Sequence, residues 1–114
     1  MEREIKFRGV SIDTDKMVYG DLLQYRVMPV IFDEDKEQWE VKAETVGQFT
    51  GLFDKNGEEI YEGDILQAAE SVIIISYSGR GFQGKYINNS QKYDGIITNN
   101  NYLYWEIIGN IHKK

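Results

Sequence analysis

Apolar and polar positions alternate along most of this chain, and no window sustains a helical period. Glu4-Ile5-Lys6-Phe7-Arg8 alternates with period two, the pattern of a half-buried strand, and Gly9 should end it. Asp13-Thr14-Asp15-Lys16 reads as a turn, after which Met17-Val18-Tyr19 re-enters strand. The stretch from Asp21 to Phe32 is rich enough in apolar groups to suit a strand or a buried helix. Pro29 lies inside it, and proline breaks a helix and tolerates only an edge or bulge in a sheet. We therefore expect two strand pieces meeting near Pro29. Asp33-Glu34-Asp35-Lys36-Glu37 is a charged loop, Trp39 and Val41 alternate with Glu40 and Lys42 as a short strand, and Glu44 to Gly47 holds a turn.

The sharpest local signal is Phe49-Thr50-Gly51-Leu52-Phe53-Asp54-Lys55-Asn56-Gly57-Glu58-Glu59-Ile60-Tyr61. Asn-Gly is the preferred pair for a two-residue hairpin turn because both residues tolerate positive φ. Apolar residues flank the pair on each side, so a hairpin centred on Asn56-Gly57 is expected. Glu62-Gly63-Asp64 then turns the chain into Ile65-Leu66, with Gly63 supplying backbone freedom and Asp64 accepting backbone N–H groups. Val72 to Tyr77 is a core strand. Gly79, Gly81 and Gly84 mark a loop or bent hairpin, Gly95-Ile96-Ile97 a short strand in an Asn-rich stretch, and Tyr102 to Ile111 a closing strand.

At 114 residues the chain suits one domain. Eight Tyr, five Phe and two Trp reinforce strand over helix. The absence of Cys removes disulfides, zinc–thiolate sites and thiol chemistry, and points to a reducing cytoplasm. No signal peptide is visible at the N-terminus. The longest unbroken apolar run, Val72 to Ile75, is far too short to span a membrane as a helix. The net charge of −6 is uneven: residues 1–78 hold 8 basic and 17 acidic side chains, net −9, and residues 79–114 hold 5 and 2, net +3. The acidic part opposes broad capture of nucleic acid, whereas a basic patch near the C-terminus would attract it locally.

No catalytic constellation emerges. Gly79-Arg80-Gly81-Phe82-Gln83-Gly84 fits the spacing of a dinucleotide-binding loop, but the residues after it make a poor helix start and no acidic partner follows at the required distance. Asp33, Asp35, Glu37 and Glu44 fall at calcium-loop offsets, with Gln38 where that loop needs glycine. His112 is the only histidine, so neither a metal cluster nor an activated serine can be built around it. Glu58 and Glu59 are adjacent and point to opposite faces of a strand. We expect no enzyme activity, no cofactor and no metal.

The aromatic and basic C-terminal third is the main candidate interaction surface: Arg80, Phe82, Lys85, Tyr86, Tyr93, Tyr102 and Tyr104. Aromatic rings interleaved with cations stack the bases of single-stranded nucleic acid. The same rings also fill a core or line a subunit contact. The protein contact ranks first and weak single-strand binding second.

Several motifs taken together resemble the YopX-like family of phage and prophage proteins. They are Glu2-Arg3-Glu4-Ile5-Lys6-Phe7-Arg8, Lys16 to Asp21, Val46-Gly47-Gln48-Phe49-Thr50-Gly51-Leu52, Asp54-Lys55-Asn56-Gly57, Ile60 to Ile65, and Trp105 to Ile111. The stretch from Gln67 to Asn101 departs from the pattern. The resemblance implies a mainly β protein of a temperate phage, acting in the bacterial cytoplasm and without assigned chemistry. A hairpin followed by a Gly-Asp turn into an apolar strand is common in SH3-like small barrels. The expected architecture is thus one mainly β domain, with N-terminal strands (1–44) packed on an SH3-like barrel (45–114). Within it, Gly51, Asn56, Gly57, Gly63 and Asp64 are structural. The expected role is a non-catalytic accessory or interaction protein. Its partners would be further copies of itself in a homo-oligomer, or an unidentified phage or host protein, with no membrane.

Overall fold

The computed structural model describes residues 5–25, 28–68, 71–78, 81–86, 95–96 and 105–112. Eleven strands, all paired antiparallel, and one short 3-10 turn make up the described elements, with no α-helix among them. Two compact units divide the chain, Met1–Phe49 and Thr50–Lys114.

The first unit contains β1 (Phe7–Val10), β2 (Met17–Tyr25), β3 (Met28–Phe32), β4 (Gln38–Glu40), a 3-10 turn (Ala43–Thr45) and the start of β5 (Gly47–Phe53). Strand order is β4-β3-β2-β1-β5. Gly9 does not end β1 as its residue type suggested. It pairs with Val18 inside the strand, and Val41 packs where a Cβ would stand, 3.0 Å away. A side chain there would displace Val41, itself fully buried. The two strand pieces meet near Pro29 as expected, β2 ending at Tyr25 and β3 beginning at Met28, and Pro29 itself is a buried residue of β3 opposite Gln24. The ladder survives because the Pro29 carbonyl still accepts the Val41 N–H at 3.1 Å, while the missing N–H removes a single donor. Ile31, Val41 and Phe49 are buried apolar residues of this unit. The Thr45 hydroxyl pins the 3-10 turn to β1 by accepting Val10 N–H at 2.9 Å and donating to Lys42 O at 2.6 Å.

The second unit holds the remainder of β5 with its neighbour β6 (Glu59–Tyr61), then β7 (Asp64–Ala68), β8 (Ser71–Ser78), β9 (Gly81–Tyr86), β10 (Gly95–Ile96) and β11 (Glu106–Asn110). Strands β10-β9-β8-β7-β11 form one sheet. Ile60, Leu66, Ile73 and Ile75 are the core, with Leu52, Trp105 and Ile107 packed against them. Each buried aliphatic side chain contributes about 1.5–3 kcal/mol, so four of them anchor the unit.

Where an SH3-like barrel was expected, the described strands form no closed barrel. The described strands make two open antiparallel sheets, and β11 pairs in register with β7 alone. On its other side β11 meets the tip of the β5–β6 hairpin, where Lys55 N–H donates to Trp105 O at 2.9 Å, Asp54 Oδ2 accepts Ile107 N–H at 3.0 Å and Lys55 Nζ lies 3.7 Å from Glu106 Oε1. The division between the compact units also lies inside β5, five residues beyond the expected 44/45 position, because the start of β5 pairs with β1 at Phe7–Gln48 and Arg8–Gly47.

Candidate functional site

The Asp54 turn is held by both backbone and side-chain hydrogen bonds. Asp54 N–H donates to Glu58 O at 2.9 Å and Gly57 N–H donates to Asp54 O at 3.0 Å. Three residues therefore loop between the closing pair, with Gly57 at φ 82° and Asn56 not in the positive-φ region. The two-residue Asn-Gly turn is thus corrected to a three-residue hairpin, a tight turn completed by a left-handed glycine. The Asp54 carboxylate selects this geometry. Its Oδ1 accepts Asn56 N–H at 2.8 Å and Glu58 N–H at 2.9 Å, leaving Oδ2 for Ile107.

The charged loop Asp33–Glu37 repeats this construction. Asp33 N–H donates to Glu37 O at 3.0 Å, Lys36 N–H donates to Asp33 O at 2.9 Å, and Asp33 Oδ1 accepts the Asp35 and Glu37 N–H groups, each at 2.9 Å. Lys36 takes the position held by Gly57 in the other turn, with φ 66°. Asp33 Oδ2 accepts the Trp39 indole N–H at 2.9 Å. That indole bond, and next the Glu37 N–H, hold the Asp33 carboxyl below its ordinary pKa. Both turns thus spend one carboxylate oxygen on closing the loop and the other on tying it to a more distant residue.

Gly51 (φ 87°) and Gly63 (φ 97°) both have positive φ. The Thr50 hydroxyl beside Gly51 donates to Ile60 O at 2.8 Å, joining β5 to β6. Gly63 N–H donates to Ile75 O at 2.8 Å, and the buried Asp64 accepts Tyr61 N–H at 2.8 Å. Asp54 and Asp64 are each 2% exposed and hold backbone, so their carboxylates serve folding.

Of the candidate interaction residues, Arg80, Tyr93, Tyr102 and Tyr104 lie outside the described residues. Phe82 is buried, on the same sheet face as Ile73 and Ile75, and its ring meets Tyr77 edge-on at 4.9 Å between centroids. Tyr77, not Phe82, is the exposed ring, at 54%. Lys85 pairs opposite Ile74, is exposed and occupies the other face, since strand positions three apart alternate. Tyr86 stands opposite Ile73 in register. Phe82 and Lys85 therefore do not share one surface. Of the glycines expected to mark a loop or bent hairpin, Gly81 and Gly84 are strand residues of β9, which pairs antiparallel with β8 as a hairpin, so no helix starts there.

An open cleft of about 580 Å³ in the first unit was not singled out from sequence. Lys6, Tyr19, Asp21, Phe32, Lys36 and Trp39 line it. They come from β2, β3, β4, the residue before β1 and the Asp33–Glu37 loop, so no linear motif announces the site. Asp33 also lines it, its carboxylate engaged by the Trp39 indole.

Comparison with known proteins agrees with this fold. Residues 6–114 match the family described as YopX protein, and the chain belongs to that family. Among solved structures it is similar to protein EF1440 from Enterococcus faecalis, with a TM-score of 0.60 and 23% identity, covering 97% of this chain and 95% of that one. That likeness concerns the fold. No curated protein matches significantly. No helix among the described residues is long and apolar enough to cross a membrane.

Proposed function

We propose that this chain is a non-catalytic protein-interaction module of a temperate phage or prophage, working as a homo-oligomer in the host cytoplasm. The observation that carries this reading is the set of apolar side chains that the second unit leaves half exposed: Tyr77 at 54%, Ile108 at 52% and Ile111 at 53%. Ile108 sits where the pairing of β11 with β7 shifts register, between Ile107 and Gly109. Exposed apolar groups on short strands are the kind of surface that association covers. Membership of the YopX family supports the phage setting. The absence of an enzyme activity is part of the proposal, supported by buried carboxylates committed to backbone N–H groups.

The test is light scattering at tens of micromolar protein. A mass above that of the monomer is expected for the natural chain, and the monomer mass for Tyr77→Ser combined with Ile108→Ser, with strand content unchanged. A monomeric natural chain refutes the oligomer. Single-strand binding ranks lower, because Phe82 is buried and Lys85 lies on the opposite face. Tight, salt-sensitive binding of labelled single strands would reverse that order.

A further inference from the structure

We propose that Asn56–Gly57 is a site of spontaneous deamidation, held shut by Asp54. The chemistry needs no enzyme. The Gly57 backbone nitrogen loses its proton and attacks Cγ of the Asn56 amide. The C–N bond to the side-chain nitrogen breaks, ammonia leaves, and a five-membered succinimide remains. Water then opens one of the two ring carbonyls. The products are aspartate or isoaspartate, and the net change is amide plus water giving acid plus ammonia.

Gly57 is what makes this position reactive. It has no side chain to hinder the attack, and the space where its Cβ would stand is empty to 4 Å. Asn56 and Gly57 are both exposed, so water and hydroxide reach them. The turn opposes the reaction at two atoms. Gly57 N–H, the proton that must leave, is donated to Asp54 O at 3.0 Å. Asn56 N–H is donated to Asp54 Oδ1 at 2.8 Å, which restrains the rotation that brings the Gly57 nitrogen onto Cγ. The reactive species is therefore the locally opened hairpin.

Once formed, the isoaspartate product cannot restore the turn. Isoaspartate inserts a methylene into the backbone between Asp54 and Gly57 and adds a carboxylate beside the Asp54 carboxylate. The same Asp54 side chain holds Ile107 of β11 at 3.0 Å, so the modification loosens that strand's outer edge irreversibly.

The test is to incubate the full chain at mildly alkaline pH and follow the Asn56 peptide by mass spectrometry, with isoaspartate separated chromatographically. The native chain should react about tenfold or more slowly than the same chain in denaturant. Asp54→Ala, incubated below its own melting midpoint, should approach the denatured rate. Because that variant is weakened, a second measurement uses the natural chain alone. Hydrogen exchange of the Gly57 amide needs the same N–H freed, so its protection should match the slowing of deamidation within a few fold. Equal rates in native and denatured chains would overturn the proposal, as would a protected Gly57 amide with undiminished deamidation.

Discussion

Replacing Asp54 by alanine removes three hydrogen bonds at once. The carboxylate is 2% exposed and accepts Asn56, Glu58 and Ile107 N–H groups at 2.8, 2.9 and 3.0 Å. Asn56 and Glu58 are exposed, so their N–H groups rehydrate, and each lost bond costs about 0.5–1.5 kcal/mol. Ile107 packs against the core, and its N–H left without an acceptor costs about 1–3 kcal/mol. Removing a buried carboxylate also removes its desolvation cost, which offsets part of the loss. The net expectation is a destabilisation of about 2–4 kcal/mol, a large share of the 5–15 kcal/mol typical of a domain. With a urea slope of about 1.5 kcal/mol per molar, the unfolding midpoint should fall by about 1.3–2.7 M. Asp33→Ala is the matched control, with the same loop geometry but its second oxygen on a part-exposed indole rather than a core strand. Its midpoint should fall less. An Asp54→Ala midpoint within error of the natural chain, or a larger drop in Asp33→Ala, would refute the argument from burial.

The two turns differ at the left-handed position, so Lys36→Gly should stabilise by about 0.5–1 kcal/mol, while Gly57→Val should destabilise by about 1 kcal/mol or more; opposite shifts in thermal midpoint check this. Gly20→Ala should cost about 3 kcal/mol or more, because φ is 155° and the new Cβ would overlap the Phe32 carbonyl; an unfolding midpoint unchanged from the natural chain would contradict it. The Asp33 carboxyl titrates below its ordinary value of 3.8, so its contribution to stability is present above that value and is lost as pH falls through the lower one. The Trp39 indole N–H resonance should therefore hold until the pH is below 3.8, and a transition at or above 3.8 would remove the assigned cause.

Turn residues and period-two alternation made the β class and most hairpins legible, because local sterics act between neighbours. The turn at Gly63 is local, since glycine tolerates its positive φ and the Asp64 carboxylate accepts the Tyr61 N–H three residues back. The limits of such local reasoning show at Gly9 and Pro29. Gly9 usually ends a strand, yet Val41, distant in sequence, fills the space above it. Pro29 lacks a donor, yet its carbonyl still serves β4's neighbour Val41. The expectation of a shared surface for Phe82 and Lys85 failed on strand parity, which the sequence does contain once the strand bounds are known. The first unit's cleft was not legible at all, since Lys6, Tyr19 and Trp39 meet only through pairing.

Asp54 marks the boundary between the two kinds of information most clearly. Asp-Lys-Asn-Gly specifies a hairpin by itself, since a short carboxylate can accept the N–H groups two and four residues ahead. That its second oxygen would reach Ile107, 53 residues later, depends on where β7 delivers β11. That long-range bond, with Lys55 N–H to Trp105 O beside it, ties the turn to β11. Local chemistry chose the turn, and tertiary packing decided what the turn holds.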